Sequence, residues 1–217
     1  MTSIHELLNQ IWSLFRSVGI TDNLTIIEHI AALLLKPSVS SDKEFWPREP
    51  KHPNLDVTSI KQKLAEAAIE ADKLADENVT GAALLFDSYV LFRLSEMLVG
   101  GRYPTPRHIV KSIVRLAEVK PTHHVADLAC GSGGFLVHSV LDAPPKSVTG
   151  VEISPEWARL ARTNLILQDY LQGYTAANII TGNAFRVAVP LASDIGSSGI
   201  CSKHDANSSD ETSLSKG

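Results

Sequence analysis

The chain has 217 residues, 44 % of them hydrophobic and 20 % charged, with a formal net charge of −4. That length and composition support a packed core in one ordinary domain or two small ones, and exclude a wholly disordered or fibrous chain. The negative balance excludes binding to nucleic acid through global charge alone, so any such contact has to be local or supplied by a partner.

From Ile4 to Val18 the residues Ile4, Leu7, Leu8, Ile11, Trp12, Phe15 and Val18 recur at spacings of three and four, which predicts a helix closed by Gly19. A second stripe, Leu24, Ile27, Ile30, Ala31 and Leu34, stops before Pro37, and Pro47, Pro50 and Pro53 mark a loop. Leu64, Ala67, Ala68, Ala71, Leu74 and Ala75 predict a third, charge-rich helix. Thr80 caps a fourth that carries Leu84, Leu85, Tyr89, Phe92 and Leu98 up to Gly100 and Gly101. Residues 1–100 therefore read as a helical N-terminal domain.

The period then changes. Pro106 opens a helix to about Glu118. Beyond Pro121, Val125–Leu128 reads as a short buried strand, and Gly131-Ser132-Gly133-Gly134 as a tight turn into a helix ending near Asp142. Val148–Glu152 is a second strand. Ser154, Pro155 and Glu156 supply an N-cap, a first-position proline and a first-turn acid for a helix to about Gln168. Asn178–Thr181 is a third strand. Strand, helix, strand, helix, strand predicts an α/β class, with the first half of a doubly wound, Rossmann-like sheet over 101–189. The stretch 190–217 holds eight serines and no apolar period, and is expected to be a disordered tail.

The glycine turn after the first strand lets backbone N–H groups approach a ligand. Its residues alone leave a nucleotide loop and a turn with a packing role both open. A dinucleotide fingerprint wants a third glycine at position 136, where this chain has Leu136, so an NAD-binding domain is the weaker reading. Glu152, 21 residues beyond Gly131 at the end of the second strand, can accept hydrogen bonds from both hydroxyls of a ribose. Cys130 and Cys201 lack CxxC spacing, which excludes a disulfide framework and a zinc site. No metal site and no Cys/His nucleophile pair is expected. Arg107, Lys111 and Arg115 stand four apart, a basic helix stripe that reads as a solvated face before it reads as a DNA contact. His123 and His124 read as surface. No apolar run is long enough for a membrane span and the start has no basic leader, so the expectation is a cytoplasmic protein without membrane contact.

Four segments in order carry a resemblance: Gly101-Arg102-Tyr103-Pro104-Thr105-Pro106, then Asp127-Leu128-Ala129-Cys130-Gly131-Ser132-Gly133-Gly134-Phe135, then Glu152-Ile153-Ser154-Pro155, then Leu160-Ala161-Arg162-Thr163-Asn164-Leu165. Together they resemble the modification subunits of type I restriction–modification systems and related N6-adenine DNA methyltransferases. The helices around Ile11-Trp12 and Leu33–Lys36 are similar to that family's N-terminal domain, so the resemblance spans roughly residues 4–185. It implies S-adenosyl-L-methionine (SAM) as cofactor. Tyr103, Thr105 and Pro106 would close over its methionine end. Asp127, Ala129, Gly131 and Gly133 would surround its amino-acid part, and Glu152 would take its ribose. It implies DNA as substrate, with specificity and restriction subunits as partners, and leaves Cys130 a small buried turn residue.

Two departures stand out. The family has Gly-Asp after the third strand, where this chain has Gly182-Asn183. Asn183 can still accept from the cofactor's adenine amino group, losing charge assistance on the order of 1 kcal/mol. The catalytic segment [Asn/Asp/Ser]-Pro-Pro-[Phe/Tyr/Trp] occurs nowhere, and the one Pro-Pro pair, Pro144-Pro145, follows Ala143. No catalytic residue is therefore assigned. The resemblance implies a site-specific adenine-N6 DNA methyltransferase, truncated before its catalytic motif. The alternative is a non-catalytic SAM-binding or subunit-assembly module.

Overall fold

The computed structural model describes residues 2–35, 46–96, 104–168 and 179–187. Helix α1 (Ile4–Ser17) places Leu7, Leu8, Ile11, Trp12 and Phe15 on one buried face. Ser3 and Glu6 close its start reciprocally: Ser3 Oγ accepts the Glu6 N–H at 3.2 Å, and the Glu6 carboxylate accepts the Ser3 N–H at 2.7 Å. Asp22 caps α2 (Asn23–Leu34), Asp56 caps α3 (Val57–Asp72) and Thr80 caps the short α4 (Gly81–Leu84). Gly81 lies so close to α3 that a Cβ there would sit 2.0 Å from the Ala68 carbonyl oxygen.

The third and fourth predicted helices need correction. Helix α3 ends at Asp72, and Leu74 beyond it is exposed. The fourth continues α4 as a π-helical stretch, Leu85–Val90, and then a 3₁₀ stretch, Leu91–Glu96. That change of winding turns Phe92 outward while Leu85, Phe86, Val90, Leu91 and Leu94 stay buried. Leu98 lies outside the described residues.

Three parallel strands follow, in the order β1 (His124–Asp127), β2 (Ser147–Glu152), β3 (Ile179–Thr181). Val125 pairs with Val148 and Val151 with Ile180. Helix α5 (Arg107–Leu116) precedes the sheet, and α6 (Gly134–Asp142) and α7 (Pro155–Leu167) connect its strands. Ser154 caps α7 with Pro155 in its first turn, as the sequence predicts. Leu136, Val137, Val140, Val148, Ala158, Ala161, Leu165 and Ile179 form the core between sheet and helices. The core of the first hundred residues also takes in Trp157 and Leu160, so α7 belongs to both cores.

The strand read as buried at Val125–Leu128 is half-open: β1 has one strand neighbour among the described residues, Ala126 is exposed and Leu128 is 40 % exposed. On α5, Val110 and Val114 are buried, while Ile109 (41 %) and Ile113 (45 %) are exposed. Helix α5 stops at Leu116, and Glu118 takes a left-handed φ of 46° just beyond its cap, where chains commonly leave a helix. No helix among the described residues is long and apolar enough to cross a membrane. The expected tail at 190–217 lies outside the described residues.

Candidate functional site

The carboxyl ends of the three parallel strands bring most of the predicted residues together. After Asp127 the chain turns through Gly131 (φ 54°) and Gly133 (φ 80°), conformations that favour glycine. At Gly133 a Cβ would also come within 3.3 Å of Ala161 on α7. The turn is tied down by backbone bonds from Cys130 N–H to the Val151 carbonyl (3.0 Å) and from Gly133 N–H to the Cys130 carbonyl (2.8 Å). Asp127 Oδ1 accepts the Ala129 N–H at 3.1 Å.

Glu152 ends β2 facing this turn. Its Oε2 accepts the Gly131 N–H at 2.9 Å and its Oε1 the Ser154 N–H at 2.8 Å. The carboxylate is thus fixed by two backbone donors, with further lone pairs on each oxygen. The Gly182 N–H donates to the Glu152 carbonyl at 2.9 Å, which brings the end of β3 alongside. Asn183 makes a turn there, its Oδ1 accepting the Phe185 N–H at 2.9 Å.

The electrostatics are acidic. Burial, together with the charge of Glu152, holds the Asp127 carboxyl above its ordinary range, against the lowering effect of the Ala129 N–H. Burial and then the charges of Asp127 and Glu152 push the Cys130 thiol far up, so it is no nucleophile. No cluster of three potential metal ligands occurs among the described residues.

Thr105 and Pro106 stand at the start of α5, with Pro106 as its cap residue. Tyr103 lies outside the described residues. Arg107 links this segment to the glycine turn: a Cβ on Gly134 would lie 2.3 Å from the Arg107 guanidinium. Arg107 also pairs with buried Asp87 (2.8 Å), so it does not share a solvated stripe with Lys111 and Arg115. His124 departs from the surface expectation too, since its Nδ1 meets Ser147 Oγ at 2.6 Å in a partly buried position.

Sequence reasoning missed Asp87, and His138 and Asn164 that contact it. The signal available was one acid inside the apolar run 82–92. It also missed Ile153 and Phe185, apolar side chains 63 % and 99 % exposed, adjoining Glu152 and Asn183. A separate cavity of about 350 Å³ is lined by Leu74, Val79, Asp87, Lys111, His138 and Gln168, and by none of the residues around Glu152.

The N-6 DNA Methylase family model matches residues 90–190. Over that stretch the chain is similar to the N-6 DNA methylases. A protein-lysine N-methyltransferase of Saccharolobus islandicus is 34 % identical over 90 residues, 41 % of this chain and 53 % of that protein. The methylase subunit of the type I restriction enzyme StySPI from Salmonella potsdam is 32 % identical over 112 residues, 43 % of this chain and 20 % of the relative. A type I restriction–modification methyltransferase subunit from Streptococcus thermophilus superposes with a TM-score of 0.49 at 17 % identity, over 88 % of this chain and 39 % of that one. The match thus spans about half of the first relative and a fifth of the second. Both of these relatives are named for methyl transfer, one as a protein-lysine methyltransferase and the other as a restriction enzyme's methylase subunit.

Proposed function

We propose that this chain is the cofactor-holding part of a SAM-dependent, site-specific DNA adenine-N6 methyltransferase of a restriction–modification system. Residues 1–100 form its helical domain and 101–189 the Rossmann-like SAM domain. The observation that carries the reading is Glu152, fixed at the end of β2 by the Gly131 and Ser154 amides. A carboxylate so held presents its free lone pairs to a pair of vicinal hydroxyls.

The residues present fit SAM better than a dinucleotide. Asp127 and Glu152 make the turn acidic, which suits an ammonium and a sulfonium and disfavours a pyrophosphate. Leu136, where a dinucleotide fold wants glycine, is fully buried in the core. Asp127, Ala129, Gly131 and Gly133 would surround the amino-acid end, with Tyr103, Thr105 and Pro106 closing over it. Exposed Ile153 and Phe185 offer apolar surface to the adenine, beside the Asn183 amide. When bound, SAM supplies the electrophilic methyl group; the residues here orient it.

The groups that would hold a target adenine belong to a Pro-Pro-aromatic segment that this sequence lacks. Recognition of DNA would rest on specificity subunits and on the rest of a complete methylase, with restriction subunits as further partners. That absence favours the second reading for this chain taken alone, a non-catalytic SAM-binding or assembly module. Titration calorimetry with SAM should show binding that Glu152→Ala abolishes, and NAD should give no heat. Equal NAD binding, or an unaffected mutant, overturns the assignment. Tritiated-methyl transfer to mixed-sequence DNA should stay at background, and transfer above it would restore a catalytic role.

A further inference from the structure

Asp87 occupies the π-helical stretch between α4 and the 3₁₀ turn, and its side chain is 4 % exposed. Three side chains from three later elements converge on it. Arg107, the first residue of α5, donates Nε–H to Oδ2 at 2.9 Å and brings a terminal nitrogen to 2.8 Å from Oδ1. That guanidinium also reaches the Asp87 carbonyl at 3.4 Å. His138 on α6 lies 3.3 Å from Oδ2, and next to a carboxylate its Nε2 carries the proton. Asn164 on α7 donates Nδ2–H to Oδ1 at 2.8 Å.

The same Asn164 amide nitrogen donates to the Ser132 carbonyl at 3.2 Å, inside the glycine turn. Both neighbours are acceptors, so the amide orientation is fixed by chemistry. Arg107 follows Thr105 and Pro106 directly and lies against Gly134, where any side chain would collide with it. One carboxylate therefore holds the start of α5 through Arg107 and the glycine turn through Asn164.

We propose that Asp87 is a positioning residue that sets the spacing between the Thr105–Pro106 segment and the Gly131–Gly134 turn, the two sides that close on the methionine end of the cofactor. The proposal rests on the SAM reading above. The residue lies outside the 90–190 methylase match and reaches the site from the helical part of the chain. A π-helical stretch at this point agrees with the role, because such irregular turns recur where a side chain is aimed at a functional task.

Hydrogen exchange tests it without a cofactor. Asp87→Asn keeps the shape but removes the charge that orients Arg107. Exchange should rise about tenfold in the Cys130–Val137 amides and at Ile109 and Val110, and stay unchanged in α1. Asn164→Ala removes the link from Asp87 to Ser132 but leaves the Arg107 pairing, so the glycine turn should loosen while Ile109 and Val110 hold. This milder variant decides the matter if Asp87→Asn does not fold. A uniform rise that includes α1, or no rise at the turn, overturns the proposal. With ligands, Asp87→Asn should weaken SAM about tenfold and adenosine hardly at all, since Glu152 is untouched. Equal loss for both ligands also overturns it. Absence of SAM binding by the unmodified chain would instead remove the functional reading, leaving the exchange pattern to judge the positioning role.

Discussion

Among the described residues, the stretch before Glu96 buries two polar side chains, Glu28 and Asp87, whereas the stretch from Arg107 onward buries nine. Both of the early pair are acids, and both are paired across the chain. Glu28 on α2 meets Arg159 on α7, and Asp87 meets Arg107, His138 and Asn164. A buried charge is tolerated only when paired and hydrogen-bonded. The helical region builds most of its apolar core from its own capped helices, but its buried charges make sense only against the sheet region. Trp157 and Leu160, lodged in the helical core, repeat the point with apolar surface. The difference predicts that the two regions unfold together, with α7 as their common wall.

Arg159→Met puts the most strain on that comparison. It strands the buried Glu28 carboxylate and should cost about 3 kcal/mol. Differential scanning calorimetry should show one transition moved to lower temperature. Pairing it with Glu28→Leu should recover most of the loss, because an apolar pair of similar volume suits the site. Two separate transitions, one unmoved, would mean that the regions fold independently.

Gly133→Ala probes the sheet region alone. A side chain at φ 80°, 3.3 Å from Ala161, should cost about 1–2 kcal/mol. The loss should appear with weaker SAM binding, read by denaturant melts and titration side by side. An unchanged melt would mean the turn relaxes, and that the glycine answers to the ligand only.

The elements were largely legible because their signals are local. The stripe of α1, the Ser154-Pro155 start of α7 and the glycine turn after β1 are written within a few residues of themselves. So were the places of Asp127 and Glu152 at the ends of β1 and β2, each read from its own short strand. What stayed hidden depends on distant partners. Asp87 finds Asn164 across 77 residues and Glu28 finds Arg159 across 131, and no periodicity records either. Arg107 was placed on a solvated stripe with Lys111 and Arg115 because spacing cannot tell which cation has a buried carboxylate beneath it.

The smallest expected effect concerns Asp127, the counterpart of Asp87. Both are acids, yet their environments push in opposite directions. For Asp87, burial raises the pKa but is outweighed by His138, Arg107 and Asn164, leaving it lowered. Its stabilising contribution is present above the unfolded value of about 3.9 and is lost as pH falls through the lower folded value. For Asp127, burial and the neighbouring Glu152 charge leave the carboxyl raised, so its charged form opposes folding. That penalty is full above the raised folded pKa and disappears as pH falls below about 3.9. Asp127→Asn keeps an oxygen for the Ala129 N–H and removes the charge. It should stabilise the cofactor-free chain by about 0.5 kcal/mol at neutral pH, with the gain fading on acidification. The same change should weaken SAM, whose ammonium would lose a carboxylate, while leaving adenosine unaffected. Thermal melts from pH 7 down to pH 4 would measure the first effect and titration the second. A variant less stable than the parent at pH 7 would mean that this carboxylate supports the fold instead of being held in reserve for a cation.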